Sequence, residues 1–389
     1  MTGACLVLLA VANGAVVDAR VTAEARSKAP SAPAGPLIET DLLPEAGISV
    51  TSDGQTGHFD YAPVLRSETW RGPASVEHQL HLEGIFRPSP TRTQIRVFES
   101  FSGGKQDFSP LSPSTGNPAL PPDPRLPVAT LLTVISSETT VALRHNLDPT
   151  LRLDASAGYT ASGGLGNQSS VLLPFQQGPR VTGGLTYAAT SITSVGSTLD
   201  YSAVDTLGGV SHLGIARGTW ARKLAKDLTV QAFAGLSVSK SGGIRQGNTF
   251  APALPPGSVK VSPDAGASAD GVAVVGGLNL SLAAQGSVTS QFDRLTGEVD
   301  ERADLLASLG VPLGDAVALR FRGGGSRVLS GIGEGDTIAQ IESALEYAVS
   351  RNFFLRAGVR AAGAQTAIPS VDTGVTGFVT ATATVVDPL

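Results

Sequence analysis

Five histidines, one cysteine and a series of charged residues spaced two or four apart are the residues whose types could do chemistry in this 389-residue chain. His58, His78, His81, His145 and His212 are scattered, and none lies near Cys5 except in the trivial sense of sharing the chain. His78 and His81 stand three apart; in extended chain such positions face opposite ways and cannot share one metal ion. Ser211 beside His212 sets a nucleophile next to a base, but adjacent strand residues also diverge. The GIGEG run from Gly331 lacks the strand-to-helix setting in which glycine-rich turns hold phosphate, and an external loop suits it better. Asn167-Gln168-Ser169 matches a glycosylation sequon by chance as readily as by design. No catalytic residue, cofactor or metal site is predicted.

The charged residues say more. In the last third of the chain Arg302 and Asp304, Arg320 and Arg322, Glu342 and Glu346, and Arg356 and Arg360 alternate with apolar positions. Those positions hold Ala303 and Leu305, Leu319 and Phe321, Leu345 and Tyr347, and Leu355, Ala357 and Val359. A period of two belongs to strands, whose two faces would carry the two sets apart. From about His58 onward the same alternation fills segments of roughly ten to fifteen residues, broken by Gly, Pro, Asn and Asp clusters.

Composition agrees with strands. Hydrophobic residues make up 41% and charged residues 16%, where a soluble domain carries roughly 25% charged residues. There are 46 glycines and 25 prolines. Mean hydropathy is +0.13, yet beyond the N-terminus no run approaches the roughly 18 apolar residues of a membrane helix. A net charge of -5 and a pI near 5.6 leave no basic footprint for nucleic acid. Intrinsic disorder is disfavoured by the even spread of apolar residues.

At the N-terminus, Cys5 to Ala12 form a short apolar run, with Val17 and Ala19 at the minus-three and minus-one positions of a cleavage site. Residues 1–19 therefore read as a signal peptide; no Lys or Arg precedes Cys5, which points to a translation start upstream of Met1. Residues 20–55, rich in Ala and Pro without an apolar period, read as a flexible periplasmic tether. Residues 56–389 read as about sixteen strands between residues 58 and 386, with 14 to 18 allowed by weak turns at 191–196 and 283–286. Tight turns follow the even-numbered strands, at RPSP, NLDP, LAKD, PLGD and SRN. The long connections, from Gly103, Gly163 and Ser241, follow odd-numbered ones. That parity is the mark of an all-β fold, a closed antiparallel transmembrane β-barrel with short periplasmic turns and longer external loops.

In such a barrel the outward positions must be apolar. Runs such as Leu228 to Val238 at alternate positions, and Val272, Val274, Leu278, Leu280 and Leu282, are expected to meet lipid. Placing Arg320 or Arg356 in lipid at mid-depth would cost about 2–4 kcal/mol. The eight charged residues named above are therefore candidate lumen-lining groups, which either neutralise one another across strands or serve transport. The interfacial aromatic girdles are expected to be thin, since aromatics are only 5%.

The segments Ala155 to Tyr187 and Ser290 to Leu305 resemble parts of large barrels that accompany surface polysaccharide export in myxobacteria, and the chain after the tether resembles bacterial outer-membrane β-barrels, porins among them. The resemblance implies a conduit across the outer membrane of a Gram-negative bacterium, among lipid and lipopolysaccharide, working with periplasmic polysaccharide-export proteins. A structural or adhesive barrel with ligand-binding external loops is the alternative, and a barrel enzyme with loop-borne carboxylates a third. The Pro-rich loop from Gly103 to Arg125 either folds inward as a constriction or lies on the surface.

Overall fold

The computed structural model describes residues 14–28, 37–52, 54–68, 75–107, 131–206, 209–244, 253–365 and 374–388. The N-terminal strands are β1 (Gly14–Lys28), β2 (Leu37–Ser52), β3 (Gln55–Tyr61), β4 (Val64–Glu68), β5 (Ser75–Ser89) and β6 (Thr93–Asp107). There follow β7 (Leu131–Asn146), β8 (Leu151–Gly164), a short helix α1 (Asn167–Leu172), β9 (Gln176–Ala188), β10 (Thr193–Thr206), β11 (Gly209–Ala225) and β12 (Leu228–Lys240). The last are β13 (Val259–Val275), β14 (Leu278–Phe292), β15 (Val299–Pro312), β16 (Val317–Ser330), β17 (Thr337–Ser350), β18 (Phe353–Gln365) and β19 (Gly374–Pro388). All strands join one antiparallel sheet, which β1 closes on β19 from Val16 opposite Pro388 to Arg26 opposite Phe378.

β3 and β4 are halves of one wall strand between β2 and β5, so the wall is an 18-strand barrel. The break has a local cause. Pro44 of β2 and Pro63 between the halves both lack the N–H that a ladder needs, and the pairing with β2 stops at Ala46 and resumes at Leu42.

The sixteen expected strands correspond to β3/β4 and β5 through β19, and the two further wall strands come from the segment read as a tether and the end of the one read as a signal peptide. That reading needs correction: Gly14–Lys28 and Leu37–Ser52 pair over their whole lengths and close the barrel. The alternation was there, in Val17, Ala19, Val21, Ala23 and Ala25 against Asp18, Arg20, Thr22, Glu24 and Arg26. Its outward side chains are mostly alanine, which carries little hydrophobic signal. The expected h-region from Cys5 to Ala12 lies outside the described residues. A cut after Ala19 would fall inside β1.

A second correction concerns β13 and β14. The hairpin turns at Gly276 and Gly277, whose φ values of 57° and 82° suit the two left-handed positions of a tight hairpin turn, and not at 283–286. Val272 then pairs with Ser281 and Val274 with Asn279, while Val275 pairs with Leu278. Val272 and Val274 thus share the face of Ser281 and Asn279, opposite to Leu278, Leu280 and Leu282.

The tight connections at 90–92, 147–150, 189–192, 226–227, 276–277, 313–316 and 351–352 all lie at one rim, together with Gly14 and Pro388. The longer connections 165–175, 293–298 and 331–336, and the described ends 241–244 and 253–258 of another, lie at the other. The loop expected from Gly103 to Arg125 falls largely outside the described residues. At the tight-turn rim Asp148 Oδ1 accepts bonds from Thr150 N and Oγ1, both 2.7 Å, and from Leu151 N at 2.8 Å. The Thr150 hydroxyl first, then the two N–H groups, hold this carboxyl below the usual range. A group so depressed supports its turn above the ordinary carboxylate pKa, and the support is lost as pH falls through the lowered value.

Exposed apolar side chains mark the outer face at alternate positions, as in Ile341, Leu345, Tyr347 and Val349 of β17. Tyr187, Trp220 and Tyr347 stand on it close to the tight turns, where an interfacial girdle belongs. Among the described residues no helix is long and apolar enough to cross a membrane.

Candidate functional site

A staircase of charges climbs the inner face from the tight-turn rim toward the loops. Arg320 Nε lies 2.9 Å from Glu346 Oε2 and its Nη1 2.9 Å from Ser281 Oγ. Glu346 also meets Arg356 at 3.6 Å, and Arg356 pairs with Glu342. Arg360 joins Glu342 at 2.6 Å to Glu24 at 3.0 Å, across β19, while Thr380 Oγ1 donates to Glu24 Oε2 at 3.1 Å. Higher on β1, Arg26 binds Glu39 at 2.6 Å and Asp41 at 3.2 Å. Arg66 of β4 holds the same two acids at 3.0 and 2.8 Å.

Five guanidinium groups thus face five carboxylates. The register produces this: antiparallel strands place Glu342 opposite Arg360, Glu346 opposite Arg356 and Glu39 opposite Arg26, and opposite charges directly across a ladder attract. Phe378 lies opposite Gly358, beside Arg356 and Arg360. Their guanidinium carbons stand 5.5 and 4.3 Å from its centroid, within cation–π range.

The structure separates the eight sequence candidates. Arg320, Glu342, Glu346, Arg356 and Arg360 belong to the staircase. Arg322 lies opposite Glu342 but makes no ion pair with any described residue, and it borders a hollow with Ser268, Asp270, Gln285 and Ser308. Asp304 accepts a bond from Ser326 Oγ at 2.6 Å. Arg302 is 3% exposed, with its Nη2 3.9 Å from Asp293 and 4.0 Å from Asp300. Sequence reasoning missed Glu24, Arg26, Glu39 and Asp41, which lie in the segment read as a tether, and Arg66.

At the loop rim the interior is crossed by chain. Leu295, in the 293–298 loop between β14 and β15, is 0% exposed and packs with Leu132 and Val134 of β7 and Leu173 beyond α1. β7 and β14 are seven strands apart on an 18-strand wall, so the contact reaches across the lumen. Gln176 Nε2 donates to Asp293 O at 3.0 Å and to Arg294 O at 2.8 Å. Asp293 Oδ1 accepts from Leu295 N at 2.7 Å, Thr296 N at 2.8 Å and Thr296 Oγ1 at 3.0 Å, which shapes the loop from within. Gly243 N of the 241–258 loop donates to Glu298 Oε1 at 3.0 Å. Three external loops are therefore latched together inside the mouth.

Elsewhere, His58 Nε2 stands 2.6 Å from Asp60 Oδ2 while its Nδ1 meets Ser49 Oγ at 2.7 Å. Asp18 joins them across Gly47, where any side chain would collide with both carboxylates. Ser211 and His212 do diverge: Ser211 Oγ accepts from Gly242 N at 3.0 Å, and His212 Nδ1 shares a 2.9 Å bond with Tyr201 Oη.

The fold is similar to that of the outer membrane protein opdK from Pseudomonas aeruginosa, with 12% identity, a TM-score of 0.50, and 96% of this chain and 99% of that chain covered. It is similar also to OccAB2 from Acinetobacter baumannii, with 10% identity, a TM-score of 0.49, and 96% and 98% covered. At such identities the likeness is one of fold. No curated protein matches the sequence. A family model does so over residues 7–385. With its closed 18-strand wall, apolar outer face and charged inner one, the chain is an outer-membrane barrel and belongs to the EpsX exopolysaccharide export family.

Proposed function

We propose that the barrel is a gated conduit, which passes exopolysaccharide from the periplasm to the cell surface and is shut between passages by the latched loops. The observation that carries this reading is the contact of Leu295 with β7 across the lumen, because a wall of 18 strands otherwise leaves an aqueous channel. The paired staircase supports it. A long chain of hydroxylated units slides past a surface whose charges are satisfied more easily than past a field of one sign, which would hold it or repel it. Periplasmic polysaccharide-export proteins would meet the tight-turn rim, where both ends of the described chain lie, and would supply the push that opens the latch.

In a strain lacking the gene, polysaccharide should still be made but should collect in the periplasm, with little at the surface. Surface polysaccharide unchanged by the deletion would refute the conduit and leave the adhesive barrel as the better reading.

A further inference from the structure

Beside the latch lies a partly open hollow of about 140 Å³. Four of its polar side chains form one row. Ser102 of β6 pairs with Ser136 of β7, Ser136 with Ser162 of β8, and Ser162 with Gln176 of β9. Adjacent strands are about 4.8 Å apart, so the row offers three hydroxyls and an amide at regular intervals along the inner face. Ser102 Oγ and Ser136 Oγ are 2.8 Å apart, each with hydrogen-bonding capacity left over. Leu173 and Pro174 add an apolar edge, and Arg294 of the 293–298 loop reaches the same hollow.

Arg294 differs from the arginines of the staircase. It is exposed, and no carboxylate among the described residues pairs with it. A lone guanidinium in a hollow of hydroxyls matches a ligand that carries one carboxylate among many hydroxyls, because the planar fork binds a carboxylate through two parallel bonds. The apolar edge suits the C–H face that a sugar ring presents, and the row of hydroxyls its equatorial oxygens.

We infer that this hollow is a subsite for an acidic sugar unit, of the uronate class, in the exported polysaccharide. The inference rests on the conduit reading and adds the substrate class to it. A unit bound there touches Gln176 and Arg294, joined by one of the latch's hydrogen bonds, so arrival of the chain end and release of the latch occur at one place.

The test uses the full-length barrel purified in detergent, titrated by calorimetry with oligogalacturonate and with a neutral maltooligosaccharide of equal length. Oligogalacturonate should bind at least tenfold more tightly than the neutral chain. Arg294→Gln should remove that preference, Arg294→Lys should keep part of it, and Ser136→Val should weaken both ligands. Arg222→Gln, an equal loss of charge at the other rim, should change neither. Equal binding of the two oligosaccharides, or an undiminished preference in Arg294→Gln, overturns the subsite. If that happens while surface export still depends on the gene, the conduit stands and the subsite alone is lost.

Discussion

Replacing Arg360 by methionine should prevent the barrel from accumulating in its heat-modifiable form, the band that migrates differently on a gel before and after boiling. Arg360 is the link between β18 and β1, with its side chain 10% exposed and those of Glu24 and Glu342 exposed by 6% and 10%. Removing the cation leaves the buried Glu24 carboxylate with the Thr380 hydroxyl as its one remaining partner among the described residues, while Glu342, with two strands between, keeps Arg356. Breaking a buried pair in this way costs about 3–5 kcal/mol, against a total stability of about 5–15 kcal/mol for ordinary domains. The loss falls on the seam, since β1 must pair with β19 to close the sheet and an open edge is what detergent-resistant barrels lack. The double variant Arg360→Met with Glu24→Leu should restore the band in part, because an apolar replacement of both partners of a buried pair is tolerated better than a broken one. A single Arg360→Met variant as heat-modifiable as the parent would show that the staircase does not hold the seam.

Replacing Leu295 by aspartate should convert a barrel that rarely conducts into one that is open most of the time in a planar bilayer. Withdrawing the leucine from its cluster gives up about 1.5–3 kcal/mol of apolar burial, and an unpaired carboxylate in the same apolar place costs several kcal/mol more. Moving a two-state equilibrium from 1:99 to 99:1 requires about 5.5 kcal/mol. The two contributions together reach that figure, and the remaining hydrogen bonds from Gln176 are worth about 0.5–1.5 kcal/mol each. The wall is untouched by this change, so the variant should stay heat-modifiable. Conductance unchanged from the parent would mean that the loops fill the mouth without controlling it.

Much of the wall was legible because strand period and turn chemistry are local. Each tight turn but 189–192 was marked by Pro, Asp, Asn or Gly, and the parity of loop lengths survives the addition of two strands at the front. β1 and β2 escaped because Ala and Pro mask their alternation, and four of the ten staircase residues escaped with them. The displaced β13–β14 turn had its signal in Gly276-Gly277, adjacent glycines at a hairpin tip. The latch left no such trace. Leu295 and Leu132 are joined only by closure of the whole sheet, and a lone leucine in a loop of polar residues reads the same whether it points to water or across a lumen.

The most direct test of passage through this barrel is a photo-crosslinker placed on one strand at neighbouring positions of opposite face in cells that are exporting polysaccharide. Gln340 shares the inner face with Glu342, and Ile341, 64% exposed, lies on the outer one. A crosslinker at Gln340 should capture polysaccharide as a high-mass adduct, and one at Ile341 should not. Surface polysaccharide appearing at its normal level with no adduct at Gln340 would contradict the conduit, because the polymer would then be leaving the cell by another route.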